Sequence, residues 1–169
     1  MLGSFEVRTD DGIVADVPGA RLRGLLIALA LEPGQVVQKA TLVDWIWGER
    51  PPSDAANALQ RLVSRLRKAL PDGLVEGQPD GYRLTAEPDA VDAVRFERLI
   101  GQARADSDPR RVRLLREALA LWRGAAMQGV GLAESAAFDA AVEEVAASTA
   151  RLLAALEVRP GGAKAAVSG

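Results

Sequence analysis

The chain has 169 residues, 49% of them hydrophobic, with 21 basic and 23 acidic side chains and a formal net charge of −2. That is enough apolar material for one ordinary domain or two small ones, and order is expected almost throughout. There is no cysteine and no histidine, which excludes disulfides, thiolate or imidazole zinc sites, cysteine nucleophiles and every histidine-based triad; no cofactor, metal or catalytic residue is expected.

Residues 1–17 read as a β-hairpin or meander. Phe5 and Val7 alternate with Glu6 and Arg8, Asp11-Gly12 supplies a tight turn, and Ile13, Ala15 and Val17 alternate with Val14 and Asp16. Residues 20–31 carry Leu22, Leu25, Leu26 and Leu29 on one face and predict a helix, closed by Glu32-Pro33-Gly34. The apolar run 25–31 is too short to span a bilayer and no signal peptide precedes it, so a soluble cytoplasmic protein is expected. A short extended piece, 35–37, leads to a second helix over 39–47, where Leu42, Trp45 and Ile46 make the buried face. Its start is poorly capped, because Gln38 is not a favoured N-cap residue, and Gly48 stops it. Trp45 is assigned to the core, and Trp47 is more open beside the Pro51-Pro52 loop.

Those two prolines stiffen the connection into residues 53–70, SDAANALQRLVSRLRKAL, the stretch around which the chain is organised. Ser53 or Asp54 serves as its N-cap. Leu59, Leu62, Val63, Leu66 and Leu70 form one apolar stripe, and Asn57, Arg61, Ser64 and Lys68 come round on the opposite face, flanked by Gln60, Arg65 and Arg67. No carboxylate lies between Ala55 and Leu70. Guanidinium forks and ammoniums neutralise phosphates, while Arg, Asn, Gln and Ser can read base edges in the major groove. A solvated amphipathic helix would carry much the same pattern, and only the neighbouring elements shift the balance towards a recognition helix. The first 90 residues hold 10 basic against 13 acidic side chains, so DNA binding has to rest on this local patch. After Pro71-Asp72-Gly73 a second hairpin follows, 74–76 against 82–85, turned through Gly77-Gln78-Pro79-Asp80-Gly81. Three helices and then a β-hairpin make a winged helix-turn-helix over residues 1–86.

From Glu87-Pro88-Asp89, a linker, only helices are expected. Residues 92–104 carry Val94, Phe96 and Leu99, with Val91 just ahead; residues 109–123 carry Val112, Leu115, Leu119 and Trp122; residues 133–157 carry Phe138, Val142, Val145, Leu152 and Leu156. The fold class is thus mainly α with small β-sheets, a winged helix-turn-helix followed by a tetratricopeptide-like all-α domain over 91–158. Residues 159–169 lack apolar periodicity and read as a flexible tail.

The stretches VVQKATLVDWIWGERPP, LQRLVSRLRKAL and GYRL resemble the winged-helix effector domain of OmpR-type regulators. VDAVRFERLIGQAR and LLREALALWRG resemble the start of the bacterial transcriptional activation domain that follows it in Streptomyces antibiotic regulatory proteins. The resemblance runs from Leu2 to about Leu156. It implies a third helix in the major groove and a wing on the adjacent minor groove. Asn57, Gln60, Arg61, Ser64 and Arg65 are the implied base or phosphate contacts, with Arg67 and Lys68 toward the phosphate backbone. Gln78 stands in the wing where related regulators often have arginine. Glu49 and Arg50, in the loop before the recognition helix, are the implied contacts to RNA polymerase or its sigma factor. Head-to-tail binding on direct repeats, a possible homodimer on DNA and control of secondary-metabolite genes also follow from the resemblance. The family's first strand is already under way at Met1 and its activation domain usually continues past residue 169, so a shortened helical array with an exposed apolar face is expected.

Other features have plain readings. Gly129-Val130-Gly131 lacks a preceding strand and a third glycine, so it is not read as a nucleotide site. Glu143-Glu144 and Asp106/Asp108 are read as solvated surface. Trp122 is assigned to the core. Arg110, Arg111, Arg113 and Arg116 form a second basic cluster, either a solvated face or a contact to flanking DNA or polymerase. The function expected is a sequence-specific DNA-binding activator without enzymatic activity; the alternative is a truncated regulator acting as a protein-interaction or dimerisation module.

Overall fold

The computed structural model describes residues 1–9, 11–106 and 109–124, all within one compact unit. At its centre lies α1 (Ala20–Leu31), which follows the positive-φ Gly19. The leucine spacing predicts one buried face, but Leu22 and every residue from Gly24 to Ala30 are buried, because the helices over Lys39–Trp47 and Ala55–Ala69 pack on this helix and the strand Gly81–Leu84 runs against it. A helix enclosed by three neighbours needs no polar face.

Strand β1 (Val36–Gln38) leads directly into α2 (Lys39–Trp47), whose N-cap Gln38 makes no side-chain cap bond. Gly48 closes α2 at φ 55°, donating its N–H to the Asp44 carbonyl at 2.7 Å. Leu42 and Ile46 are buried, whereas Trp45, assigned to the core from sequence, is only half-buried, as is Trp47; both indoles pack against the core. Helix α3 (Ala55–Ala69) follows, then β2 (Val75–Gly77) and β3 (Gly81–Leu84). The sheet order is β1-β3-β2, antiparallel throughout, with Val37 opposite Tyr82 and Glu76 opposite Arg83. The short extended piece before α2 therefore completes a three-stranded sheet with the wing, a pairing not foreseen from sequence.

Among the described residues the N-terminal hairpin is reduced to the antiparallel bridge Arg8 to Val14, with the predicted turn at Gly12 (φ 81°). Ile13 and Val14 are 63% and 55% exposed, whereas Phe5, Val7 and Ala15 pack against the core. Leu2 and Val17, at the two ends of the segment, are buried.

A 3-10 turn (Pro88–Ala90) leads into α4 (Asp92–Ala105), which pairs with α5 (Arg110–Ala120). Phe96, Leu99, Ile100 and Ala103 face Leu114, Leu115 and Ala118 in the buried sets of the two helices. The sequence reading of α5 needs correcting: Val112 and Leu119 are 40% and 42% exposed, and Leu114 and Ala118 take the inner positions with Leu115. Trp122 is half-buried rather than core and meets Phe96 edge-on, ring centroids 5.9 Å apart. The helix expected over 133–157, Gly129-Val130-Gly131, Glu143-Glu144 and the tail 159–169 lie outside the described residues.

The helical pair is tied to the winged helix through the start of α4 and through Arg123. Val91 belongs to the winged-helix core and Val94 packs against it. The Asp92 carboxylate accepts from the Met1 amine at 2.8 Å, the Leu2 N–H at 2.9 Å and the Arg123 guanidinium at 3.3 Å, and the Leu2 carbonyl accepts from the Arg123 N–H at 2.7 Å. Arg98 adds a two-pronged contact to Asp89, at 2.7 and 2.6 Å.

Candidate nucleic-acid interface

Helix α3 starts where Asp54 accepts a hydrogen bond from the Asn57 N–H at 3.0 Å, one of the four orphan donors of a helix start. Arg67 and Lys68 in its last turn complement the negative end of the helix dipole. Leu59, Leu62, Val63 and Leu66 are buried, with Leu70 just past the helix end, and they fix which face looks outward. Asn57, Gln60, Arg61, Ser64, Arg65, Arg67 and Lys68 are all exposed. Among the described residues Arg61, Arg65 and Lys68 take part in none of the ion pairs. The helix thus presents cations not compensated by neighbouring carboxylates, interleaved with amides and a hydroxyl, on a rigid element.

Arg67 differs from its neighbours: its Nε donates to the Val75 carbonyl of β2 at 2.9 Å. The wing turn is tight, the Gln78 N–H donating to the Gly81 carbonyl at 2.9 Å and the Gly81 N–H returning to Gln78 at 3.3 Å, which leaves Pro79 and Asp80 at the tip. Gln78 is half-buried beside them. Lys39, at the start of α2, was not singled out from sequence. Its backbone N–H donates to the Asp80 carbonyl at 3.0 Å and its ammonium to the Pro79 carbonyl at 2.8 Å, so a cation stands at the wing tip. A lone lysine 40 residues from the turn gives no signal in sequence; only the β1–β3 pairing brings it there.

In the loop before α3, Glu49, Arg50, Pro51 and Ser53 are exposed and Pro52 is half-buried. The Arg50 N–H donates to the Trp47 carbonyl at 3.2 Å, tying the loop to the end of α2. In the second basic cluster Arg110 pairs with Asp106 at 3.2 Å, while Arg111, Arg113 and Arg116 are exposed. Asp108 lies outside the described residues. No group of three or more acidic side chains that could hold a metal ion occurs among the described residues. Nor is any described helix long and apolar enough to cross a membrane.

Comparison with known proteins agrees with this architecture. Residues 19–84 match the family described as transcriptional regulatory protein, C terminal, and residues 91–169 match the bacterial transcriptional activator domain. The transcriptional regulator RedD of Streptomyces coelicolor is 36% identical over 162 residues, 88% of this chain and 46% of RedD. The chain belongs to the Streptomyces antibiotic regulatory protein family. Two further relatives of this SARP chain are the regulatory protein AfsR of S. coelicolor and the regulatory protein DnrI of Streptomyces peucetius. AfsR is 37% identical over 71% of this chain and 13% of AfsR, and DnrI is 30% identical over 64% of this chain and 45% of DnrI. The solved structure of Mycobacterium tuberculosis EmbR in complex with a low-affinity phosphopeptide superposes with TM-score 0.71 at 28% identity, over 88% of this chain and 42% of EmbR. The SARP chain spans less than half the length of each of these proteins.

Proposed function

We propose that this SARP chain is a sequence-specific DNA-binding activator of transcription that works in the cytoplasm without enzymatic activity. Residues 1–86 form its DNA-binding domain and residues 91–158 part of its activation domain. Helix α3 lies in the major groove, where Asn57, Gln60, Arg61, Ser64 and Arg65 meet base edges and phosphates, and the β2–β3 wing brings Gln78 to the adjacent minor groove. The supporting observation is the outward face of α3: exposed, held by a buried leucine stripe, and basic in a chain of net charge −2. A basic face of this kind on an acidic protein concentrates phosphate attraction where the base-reading side chains are.

The winged helix has no evident self-complementary dimer surface in its own sequence. The family resemblance implies head-to-tail binding of two copies, on direct repeats about one helical turn, ~10–11 base pairs, apart. Glu49 and Arg50, on a loop stiffened by Pro51 and Pro52, stand beside the groove as contacts for RNA polymerase or its sigma factor. The regulated genes are those of secondary metabolism. Selection of bound sequences from a random DNA library, followed by gel shift, tests this reading. A repeated half-site should emerge. Recovery of no preferred sequence would instead favour a protein-interaction module, and palindromic half-sites would overturn the head-to-tail arrangement.

A further inference from the structure

Arg67 has the sequence position of a phosphate ligand, in the exposed last turn of a basic helix. One of its guanidinium donors is nevertheless already engaged. Nε donates to the Val75 carbonyl at 2.9 Å, and Nη2 lies 3.4 Å from where a Cβ on Gly77 would stand. Strand β2 is an outer strand of the sheet, and the Leu74 carbonyl accepts from Thr85 on the β3 side at 2.9 Å. Carbonyls alternate in direction along a strand, so the Val75 carbonyl points off the free edge, where such groups are ordinarily left to water. The free edge of the wing is thereby tied to the recognition helix by one side chain. At the other end of the wing, the Lys39 ammonium and N–H hold Pro79 and Asp80. The two ties fix the base and the tip of the hairpin separately.

We propose that Arg67 is a positioning residue for DNA reading: it sets the angle of the wing to helix α3 and is not one of the phosphate ligands. This rests on the DNA-binding reading above. A guanidinium fixes direction as well as distance, because its donors are held in one plane; a lysine ammonium on a flexible stem supplies charge without that constraint. Charge and geometry at this position can therefore be separated by one conservative change.

The test uses Arg67→Lys and Arg67→Met in the full chain, with two measurements. Amide hydrogen exchange of the β2–β3 hairpin is followed without DNA, and affinity for the selected operator and for random DNA is followed across salt concentration. Both substitutions should speed hairpin exchange. Both should lower operator affinity roughly five- to tenfold, the equivalent of one hydrogen bond. Arg67→Lys and Arg67→Met alike should keep near-wild-type affinity for random DNA and a near-wild-type salt slope; a slope lowered by about one in Arg67→Met overturns the proposal, since it marks a lost phosphate contact. Wild-type operator affinity in Arg67→Lys overturns the proposal, since charge alone would then suffice; unchanged hairpin exchange in both substitutions overturns it equally. Should Arg67→Met not fold, Arg67→Lys carries both measurements. A wild-type chain that ignores operator sequence would refute the DNA reading itself, and hydrogen exchange would still decide whether Arg67 holds the wing.

Discussion

Gly81 is the residue on which the sheet turns, and Gly81→Ala is the sharpest perturbation available. A Cβ at this position would lie 2.1 Å from the Val37 carbonyl oxygen and 2.8 Å from its carbon, both backbone atoms that no rotamer change can move. An ordinary carbon-to-oxygen contact is about 3.3 Å, so β1 and β3 would have to part by more than ~1 Å. That displacement strains the pairing of Gln38 with Gly81 and of Val37 with Tyr82, and the Lys39 N–H bond to Asp80 at 3.0 Å. Loss of two such bonds, at about 1 kcal/mol each, costs about 2 kcal/mol. The opposing term is smaller: alanine in a strand interior gains roughly 0.5–1 kcal/mol over glycine from reduced chain entropy. The net is a loss of about 1–1.5 kcal/mol. For a chain of this size it should lower the melting temperature by ~2–6 °C, read by circular dichroism with urea denaturation as a second measure. Operator affinity should fall as well, since the wing moves with β3. An unchanged or raised melting temperature would refute the reasoning, because it would leave only the entropy term.

Asn57→Ala and Arg61→Ala should relax sequence preference, at about 1–3 kcal/mol each where they read a base edge, while Lys68→Ala weakens all DNA about equally. Equal losses on operator and random DNA for all three, in a gel-shift comparison, would count against these roles. Glu49→Ala/Arg50→Ala should leave operator affinity intact and lower transcription in vitro from a promoter carrying the repeats; unchanged transcription would make the loop a spacer. For Asp92, burial acts to raise the carboxyl pKa, but the hydrogen bonds from the Met1 amine and the Leu2 N–H, the attraction of that amine and the Arg123 guanidinium outweigh it and hold the pKa below the ordinary value. A depressed folded-state pKa gives stability that is present above the unfolded value of about 3.9 and is lost as pH falls through the folded value. Wild type should therefore exceed Asp92→Asn in melting temperature at pH 7, and the gap should close below pH ~4. A gap that stays constant down to pH ~3 would show that the carboxylate's charge contributes nothing to the seat of α4.

The three winged-helix helices were legible because their signals are local. The leucine periodicities give α1 and α3, Gly48 ends α2, and Asp54 caps α3, all within a few residues of what they determine. What escaped depends on partners distant in the chain. The β1–β3 pairing joins Val36 to Arg83 across more than forty residues, and nothing in VVQ announces it. Helix α5 offers Leu114, Leu115, Val112 and Leu119 as candidate apolar positions, and only its docking on α4 selects the first two. In residues 13–15 only Ala15 packs against the core, and Ile13 and Val14, beside the turn, stay exposed. For the candidate site, residue types and outward orientation on α3 were readable. The tie from Arg67 to Val75 and the arrival of Lys39 at the wing tip were not, because both require the sheet to exist first.

The seating of α4 bears on how this protein can be recombined with its relatives. The two family matches meet near residues 85–90, which looks like a natural place to join one regulator's front half to another's rear. Yet Val91 and Val94 are part of the front half's apolar interior, and Asp92 is gripped by Leu2 and Arg123 from opposite ends of the described chain. A chimera spliced at residue 87 would bring in foreign residues at all three places, with a misfit interior even though every contact on α3 was preserved. Moving the splice beyond Val94 would keep the apolar pair and Asp92 with their own neighbours, leaving Arg123 as the one position in this set to match by hand.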